Sequence, residues 1–231
     1  MATLSKERKF IAPAMKAPLA LDLVRHYCMP DARFPVGRIA SIYYDSPRLL
    51  AYRDKIEGDN LKKKVRVRWY AQPDQATSSD RVAAFIECKH RLGSCRFKHR
   101  TSLTLDYSTL DRAPLDDPFF ATLPSQVRDW NDDVLPLDLL PVVCIRYERR
   151  RFYCPRTDTR VALDTAIHVD RVNRNLVPNA NVPAIDLVVC EFKDAGQHDL
   201  PWVHTLCKAG FRLKSFSKYG TSVERLLNGG L

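Results

Sequence analysis

Glycine is scarce in this chain, 8 of 231 residues, and none of the eight falls in a GxGxxG turn or a GxxxxGKS/T loop. A backbone cradle for phosphate is thereby excluded, and with it the dinucleotide fold and the P-loop. No HExxH or GxSxG motif occurs, and the 6 histidines do not cluster at metal-ligand spacing. The 7 cysteines (Cys28, Cys88, Cys95, Cys144, Cys154, Cys190 and Cys207) form no CxxC pair, which argues against zinc. An odd, scattered set also argues against a disulfide framework and for a reducing compartment. Cys88, Cys144 and Cys190 sit in apolar runs, as small core residues do. Long apolar runs are missing too: the best, Leu135 to Ile145, is interrupted by Pro136, Asp138 and Pro141, so no membrane span is expected. The first nine residues lack the apolar centre of a secretory signal. The expected location is cytoplasmic.

What the chain has is positive charge, 37 Lys and Arg against 27 Asp and Glu, a net +10. That selects anionic partners (nucleotides, polyphosphate, nucleic acid or acidic lipid) and says nothing about fold. The cations fall on alternating positions. In the stretch Lys62 to Tyr70, an extended chain puts Lys64, Arg66 and Arg68 on one face and Val65, Val67 and Trp69 on the other. Glu87 and Lys89 face away from Ile86 and Cys88, and Arg96, Lys98 and Arg100 share a face. By periodicity alone, a solvated strand face is the first reading of this and a charged lumen the second. Taken singly, Lys89 and Lys98 read as surface residues, and Glu87 as a salt-bridge partner of its cationic neighbours. Cations about 7 Å apart on one face repel by roughly 2 kcal/mol at an effective dielectric near 20, so such a face is relieved by a polyanion.

Strands are expected at Glu7–Ile11, Gly37–Tyr44, about 62–70, 82–91 and 94–105, Leu140–Tyr153, Arg160–Val169 and Ile185–Lys193. The apolar positions 19, 20, 23, 24 and 27 predict a helix. A second should start at Ser46-Pro47, with serine as N-cap and proline in the first position, and run to about Ile56. Pro201–Ala209 and Ser217–Leu227 read as helices, Pro118–Trp130 as short helical pieces, and Gln72–Asp80 and Asn173–Pro183 as loops. About eight strands with few, short helices predict an α+β fold. The arrangement expected is a closed eight-stranded antiparallel β-barrel, a tunnel with a charged lumen and helices packed on its outside, as one domain over 1–231.

Several pieces occur in a telling order: Glu7-Arg8-Lys9-Phe10, Tyr44-Asp45-Ser46-Pro47, Tyr52-Arg-Asp-Lys-Ile-Glu-Gly58, Lys64-Val-Arg-Val-Arg-Trp-Tyr70 and Glu87-Cys-Lys89, then Tyr147-Glu-Arg149, Arg160-Val-Ala-Leu-Asp164, Glu191-Phe-Lys193 and Phe216-Ser-Lys-Tyr219. Together they resemble the VTC domain of the triphosphate tunnel metalloenzyme superfamily, whose best-known members polymerise polyphosphate from ATP. The resemblance implies that Lys9, Arg66, Arg68 and Lys89 act on substrate phosphate. It implies Lys98, Tyr147, Arg149, Arg160, Ser217 and Lys218 as further substrate-binding residues, and Glu191 as the carboxylate holding a catalytic Mg²⁺ or Mn²⁺. Wider superfamily members begin with Glu-x-Glu-x-Lys. Here the matching residues are Ser5, Glu7 and Lys9, which weighs against a second metal and a hydrolase-type reaction.

The expected activity is thus transfer of the γ-phosphate of ATP to a growing polyphosphate chain. Phosphoryl transfer asks mainly for positioning and charge neutralisation, and arginine forks grip phosphate oxygens two at a time. The competing readings are a tripolyphosphatase or nucleoside triphosphatase, with water as nucleophile, and a non-catalytic module binding polyphosphate or inositol pyrophosphate. ATP and polyphosphate are the expected partners, a membrane protein is a possible one, and no motif supports nucleic acid. Asp164 is expected to brace Arg160, and Arg149-Arg150-Arg151 to alternate between faces.

Overall fold

The computed structural model describes residues 6–57, 61–71, 81–92, 95–127, 138–178, 184–194 and 201–228. The Gln72–Asp80 loop, Ser5, and parts of the segments expected at 118–130 and 173–183 lie outside the described residues. Among the described residues there are ten strands: β1 (Lys6–Pro13), β2 (Met29–Pro30), β3 (Val36–Asp45), β4 (Leu61–Ala71), β5 (Arg81–Leu92), β6 (Cys95–Asp106), β7 (Leu140–Cys154), β8 (Thr159–Val172), β9 (Leu187–Asp194) and β10 (Arg212–Leu213). The helices are α1 (Ala17–Tyr27), α2 (Leu50–Glu57), α3 (Tyr107–Arg112), α4 (Pro118–Thr122), α5 (Pro201–Lys208) and α6 (Lys218–Leu227). The eight strands foreseen are the eight long ones. The two-residue pieces β2 and β10, and α3, carry too little periodicity to be read in advance.

The hydrogen-bonded strand order is β10-β1-β9-β8-β7-β3-β4-β5-β6, with β2 on β7. The order is an open path, and this corrects the expectation of a closed eight-stranded barrel. Closure requires the first and last strands to pair along a matched length. Here one end of the path is β10, two residues paired to Phe10 and Ile11, and the other is the twelve-residue β6. So short an end cannot receive β6, and no pairing joins the two among the described residues.

The described residues group into two compact units. The first takes its residues from 1–38, 147–168 and 184–217. In it β1 pairs antiparallel with β9, and β9 with β8, so that Phe10, Cys190 and Leu163 share one face. That face forms a core with Val161, Val188 and Phe192, closed by Ala20 and Val24 of α1 and by Trp202 and Leu206 of α5. The apolar spacing read in α1 is therefore what buries it, at Ala20 and Val24, while Leu19 and Tyr27 stay 41% and 38% exposed.

The second unit draws on 39–146, 169–183 and 218–231. There β4, β5 and β6 form an antiparallel meander in the register Val65↔Cys88↔His99 and Val67↔Ile86↔Thr101. Its apolar face (Val65, Val67, Trp69, Ile86 and Cys88) packs against Leu110 of α3 and Phe120 of α4. Both short helices are started by aspartate: Asp106 accepts from the Thr109 N–H at 2.7 Å, and Asp117 from the Phe119 N–H at 2.9 Å. Helix α2 starts at Leu50, not at Pro47. The Asp45 carboxylate takes the N–H groups of Ser46, Ala51 and Tyr52, and the Ser46 hydroxyl takes that of Leu50. Serine does cap this helix, but from four residues before its first turn, because the stronger acceptor Asp45 gathers the chain first.

Candidate functional site

Each unit turns one densely charged strand face away from its core. On the meander, the register places Arg66, Glu87 and Arg100 in one cross-strand row and Lys64, Lys89 and Lys98 in the next. Glu87 is the hub. Its side chain is fully buried, and Arg66 grips it with Nε and Nη2 on Oε2, at 2.8 and 2.6 Å. Arg68, Lys98 and Arg100 approach Oε1 at 3.0, 3.1 and 3.8 Å. Burial alone would raise the pKa of this carboxyl, but Arg66 and Arg68 outweigh it and bring it down to about 2. The Arg66 fork is held from its other side by the Tyr43 hydroxyl, which accepts from Nη1 at 3.3 Å. One carboxylate thus aims two arginines at once.

In the first unit, pairing of β1 with β9 sets Lys9 opposite Glu191 and Glu7 opposite Lys193, while β8 sets Arg160 opposite Lys193. Lys9 donates to Glu7 at 2.9 Å and to the Phe216 carbonyl at 3.2 Å. Lys193 lies 3.0 Å from Glu191 Oε1 and 3.9 Å from Glu7 Oε2. Arg149 makes a two-point contact with buried Asp164 at 2.6 and 2.7 Å and reaches Glu191 Oε2 at 3.6 Å. Burial would weaken the hold of Arg149 on its proton; Asp164 more than reverses that and keeps it charged. For Glu7, burial and the nearby Glu191 raise the pKa, and Lys9 and Lys193 leave it lowered on balance.

Of the residues singled out in the sequence, Arg66, Arg68, Lys89 and Lys98 share the meander face, and Lys9, Arg149, Arg160 and Glu191 share the β1–β9–β8 neighbourhood. Tyr147 is buried, with the Arg149 guanidinium 5.5 Å from its ring centre. Arg160 is exposed at the start of β8. Half-buried Ser217 directly precedes α6, which Lys218 opens. Asp164 braces Arg149, not Arg160. Arg149 faces the carboxylates while Arg150 pairs with Glu148 at 3.0 Å, so the arginine run alternates as expected. Arg100 and Lys193 were not singled out as phosphate contacts. The alternation Arg96-x-Lys98-x-Arg100 carried the signal for the first, and Glu191-x-Lys193 for the second.

Among the described residues no three His, Cys, Asp or Glu side chains come together as metal donors. The first unit offers the carboxylates Glu7 and Glu191, with the Lys193 ammonium 3.0 Å from Glu191 and 3.9 Å from Glu7. Hard oxygen donors of this number suit Mg²⁺, which binds through one or two carboxylates and takes its other ligands from substrate phosphates and water. The residues present therefore fit an ion that arrives with its substrate. They do not form a preassembled all-protein cage.

In each unit, then, the strands of an α+β scaffold set guanidinium and ammonium groups around buried carboxylates. The chain belongs to the VTC domain family, whose sequence model matches residues 5–227. It is 22% identical over 239 aligned residues, 87% of this chain, to vacuolar transporter chaperone complex subunit 4 of Trypanosoma brucei brucei, and covers 30% of that protein. Among solved structures, a Bacillus halodurans protein provisionally called an adenylate cyclase aligns over 91% of this chain and 92% of its own, at 12% identity and a TM-score of 0.48.

Proposed function

We propose that the protein is a polyphosphate polymerase that moves the γ-phosphate of ATP onto the end of a growing polyphosphate chain, with residues 1–231 working as one domain. The observation that carries this is the pair of strand faces on which arginines are pre-aimed by buried carboxylates, Glu87 for Arg66 and Arg68 and Asp164 for Arg149. Family membership supports it, as does likeness to a subunit of a vacuolar transporter chaperone complex.

An oxygen of the chain's terminal phosphate attacks the γ-phosphorus. The bond from that phosphorus to the β-bridging oxygen breaks, and ADP leaves with the electron pair. The nucleophile belongs to the substrate, so no protein nucleophile is needed. Arg66, Arg68, Lys89 and Lys98 hold phosphate oxygens on the meander; Lys9, Arg149 and Arg160 do so in the first unit, with Tyr147, Ser217 and Lys218 as further contacts. Each fixed guanidinium neutralises charge that the transferring group spreads over its oxygens. Glu191, with Glu7 beside it, would hold Mg²⁺ or Mn²⁺, which supplies charge neutralisation at the phosphates when bound. A further protein of a membrane complex is the proposed partner.

Purified protein with ATP and Mn²⁺ should give a ladder of polyphosphate on a stained polyacrylamide gel, absent for Arg66→Ala. Orthophosphate alone would replace the polymerase reading with a hydrolase. Tripolyphosphate binding without turnover of ATP would replace it with a binding module.

A further inference from the structure

Two pieces of the sequence have no part in the phosphate contacts above: Tyr44-Asp45-Ser46-Pro47 at the end of β3, and Tyr219, which follows Lys218 in the first turn of α6. A single bond joins them. The Tyr219 hydroxyl donates to Asp45 Oδ2 at 2.6 Å. Asp45, 2% exposed, also accepts from Tyr52 N on Oδ2 at 3.0 Å, and from Ser46 N and Ala51 N on Oδ1 at 2.8 and 2.9 Å. Four donors saturate this carboxylate and fix its orientation. Two of those bonds cap α2, at Ala51 and Tyr52, a third holds the Ser46 turn, and the fourth goes to α6.

The Tyr219 ring continues the connection. It stacks on Tyr43, with ring centres 5.5 Å apart and planes 19° from parallel. The Tyr43 hydroxyl accepts from Arg66 Nη1, and the Arg66 guanidinium lies 5.9 Å from the Tyr43 ring centre. Burial, then the neighbouring Asp45 charge, raise the pKa of the Tyr219 hydroxyl, so it stays a donor at any working pH. A ring needed only to fill the core would be served as well by phenylalanine. Here the hydroxyl ties the start of one helix to the carboxylate that starts another, and the ring stacks on Tyr43, which meets the arginine that Glu87 aims.

We propose that Asp45 and Tyr219 are positioning residues: their hydrogen bond fixes the first turn of α6 so that Lys218 meets a phosphate chain in register with Arg66. The inference rests on the phosphate-binding reading of Arg66 and Lys218. It adds that their spacing is set by a buried latch and not by the substrate.

The test is a double-mutant cycle read by titration calorimetry with tripolyphosphate, with melting curves on every variant. Tyr219→Phe keeps the stacked ring and removes one bond to a charged group, so affinity should fall about tenfold. In a Lys218→Ala background, the same change should cost less than about twofold, because the cation it positions is gone. An equal loss in both backgrounds, unchanged affinity in Tyr219→Phe, or unchanged affinity in Lys218→Ala overturns the proposal. Loss of cooperative melting in Tyr219→Phe also overturns it, since the bond then serves the fold and not the site. Failure of the parent reading looks different. The wild type would not bind tripolyphosphate, or Arg66→Ala would bind it as well as the wild type, and the latch would fall with it.

Discussion

Replacing Glu87 by glutamine removes one negative charge from beneath four cations while keeping the side chain's shape. The magnitude follows from the acidity of the group. Folding lowers its pKa from 4.5 to about 2, and each unit is worth about 1.4 kcal/mol, so the ionised carboxylate contributes about 3 kcal/mol at neutral pH. Because the folded value is depressed, this stability is fully present above the unfolded pKa and is lost as pH falls from about 4.5 through 2. Between the two, at pH 3, somewhat under half of that should remain. Urea unfolding of wild type and Glu87→Gln at pH 7 and pH 3 reads both values. A deficit of about 3 kcal/mol for a protein of this size corresponds to roughly 10 °C in melting temperature. The variant's deficit should shrink by about half between the two pH values. A deficit below about 1 kcal/mol at pH 7, or one independent of pH, would falsify the assignment of Glu87 as the electrostatic keystone of the meander.

Three other outcomes are expected. Glu191→Gln should abolish metal-dependent turnover of ATP while leaving tripolyphosphate affinity within about threefold of wild type, since this carboxylate is assigned to the ion and not to phosphate; retained turnover sinks that role. Tripolyphosphate should raise the melting temperature well beyond sodium chloride at equal ionic strength, and equal shifts would reduce the charged faces to general screening. Iodoacetamide at pH 8 should label exposed Cys207 in the native protein and spare Cys28, Cys88 and Cys144, whose thiols burial pushes up to about 12, 11 and 11. Comparable labelling of Cys88 or Cys144 contradicts the packing described.

The strand faces were legible because alternation is a local property. Lys64, Arg66 and Arg68 are separated from Val65, Val67 and Trp69 by the pleat alone, and the second set is at most 2% exposed. Barrel closure was not legible, since a strand count does not say whether the end strands are long enough to meet. Partner choice was lost for a related reason. Parity puts Arg149 and Arg160 both within plausible reach of Asp164, and only the pairing of neighbouring strands decides for Arg149. The start of α2 was misplaced because Ser46-Pro47 is a sound helix-start signal that a neighbouring aspartate, drawing in three N–H groups, overrides. The Asp45–Tyr219 bond, across a separation of 174 residues, leaves no trace in any local pattern.

Strand β6 ends the sheet path, and bare sheet edges invite a second copy to add on through main-chain bonds. Lys98 and Arg100 stand on that border with side chains 47% and 39% exposed. Two molecules approaching border to border would bring like charges together before any backbone bond could form. Charges set on this border, Lys98 among those proposed to hold phosphate, therefore also discourage the protein from polymerising itself.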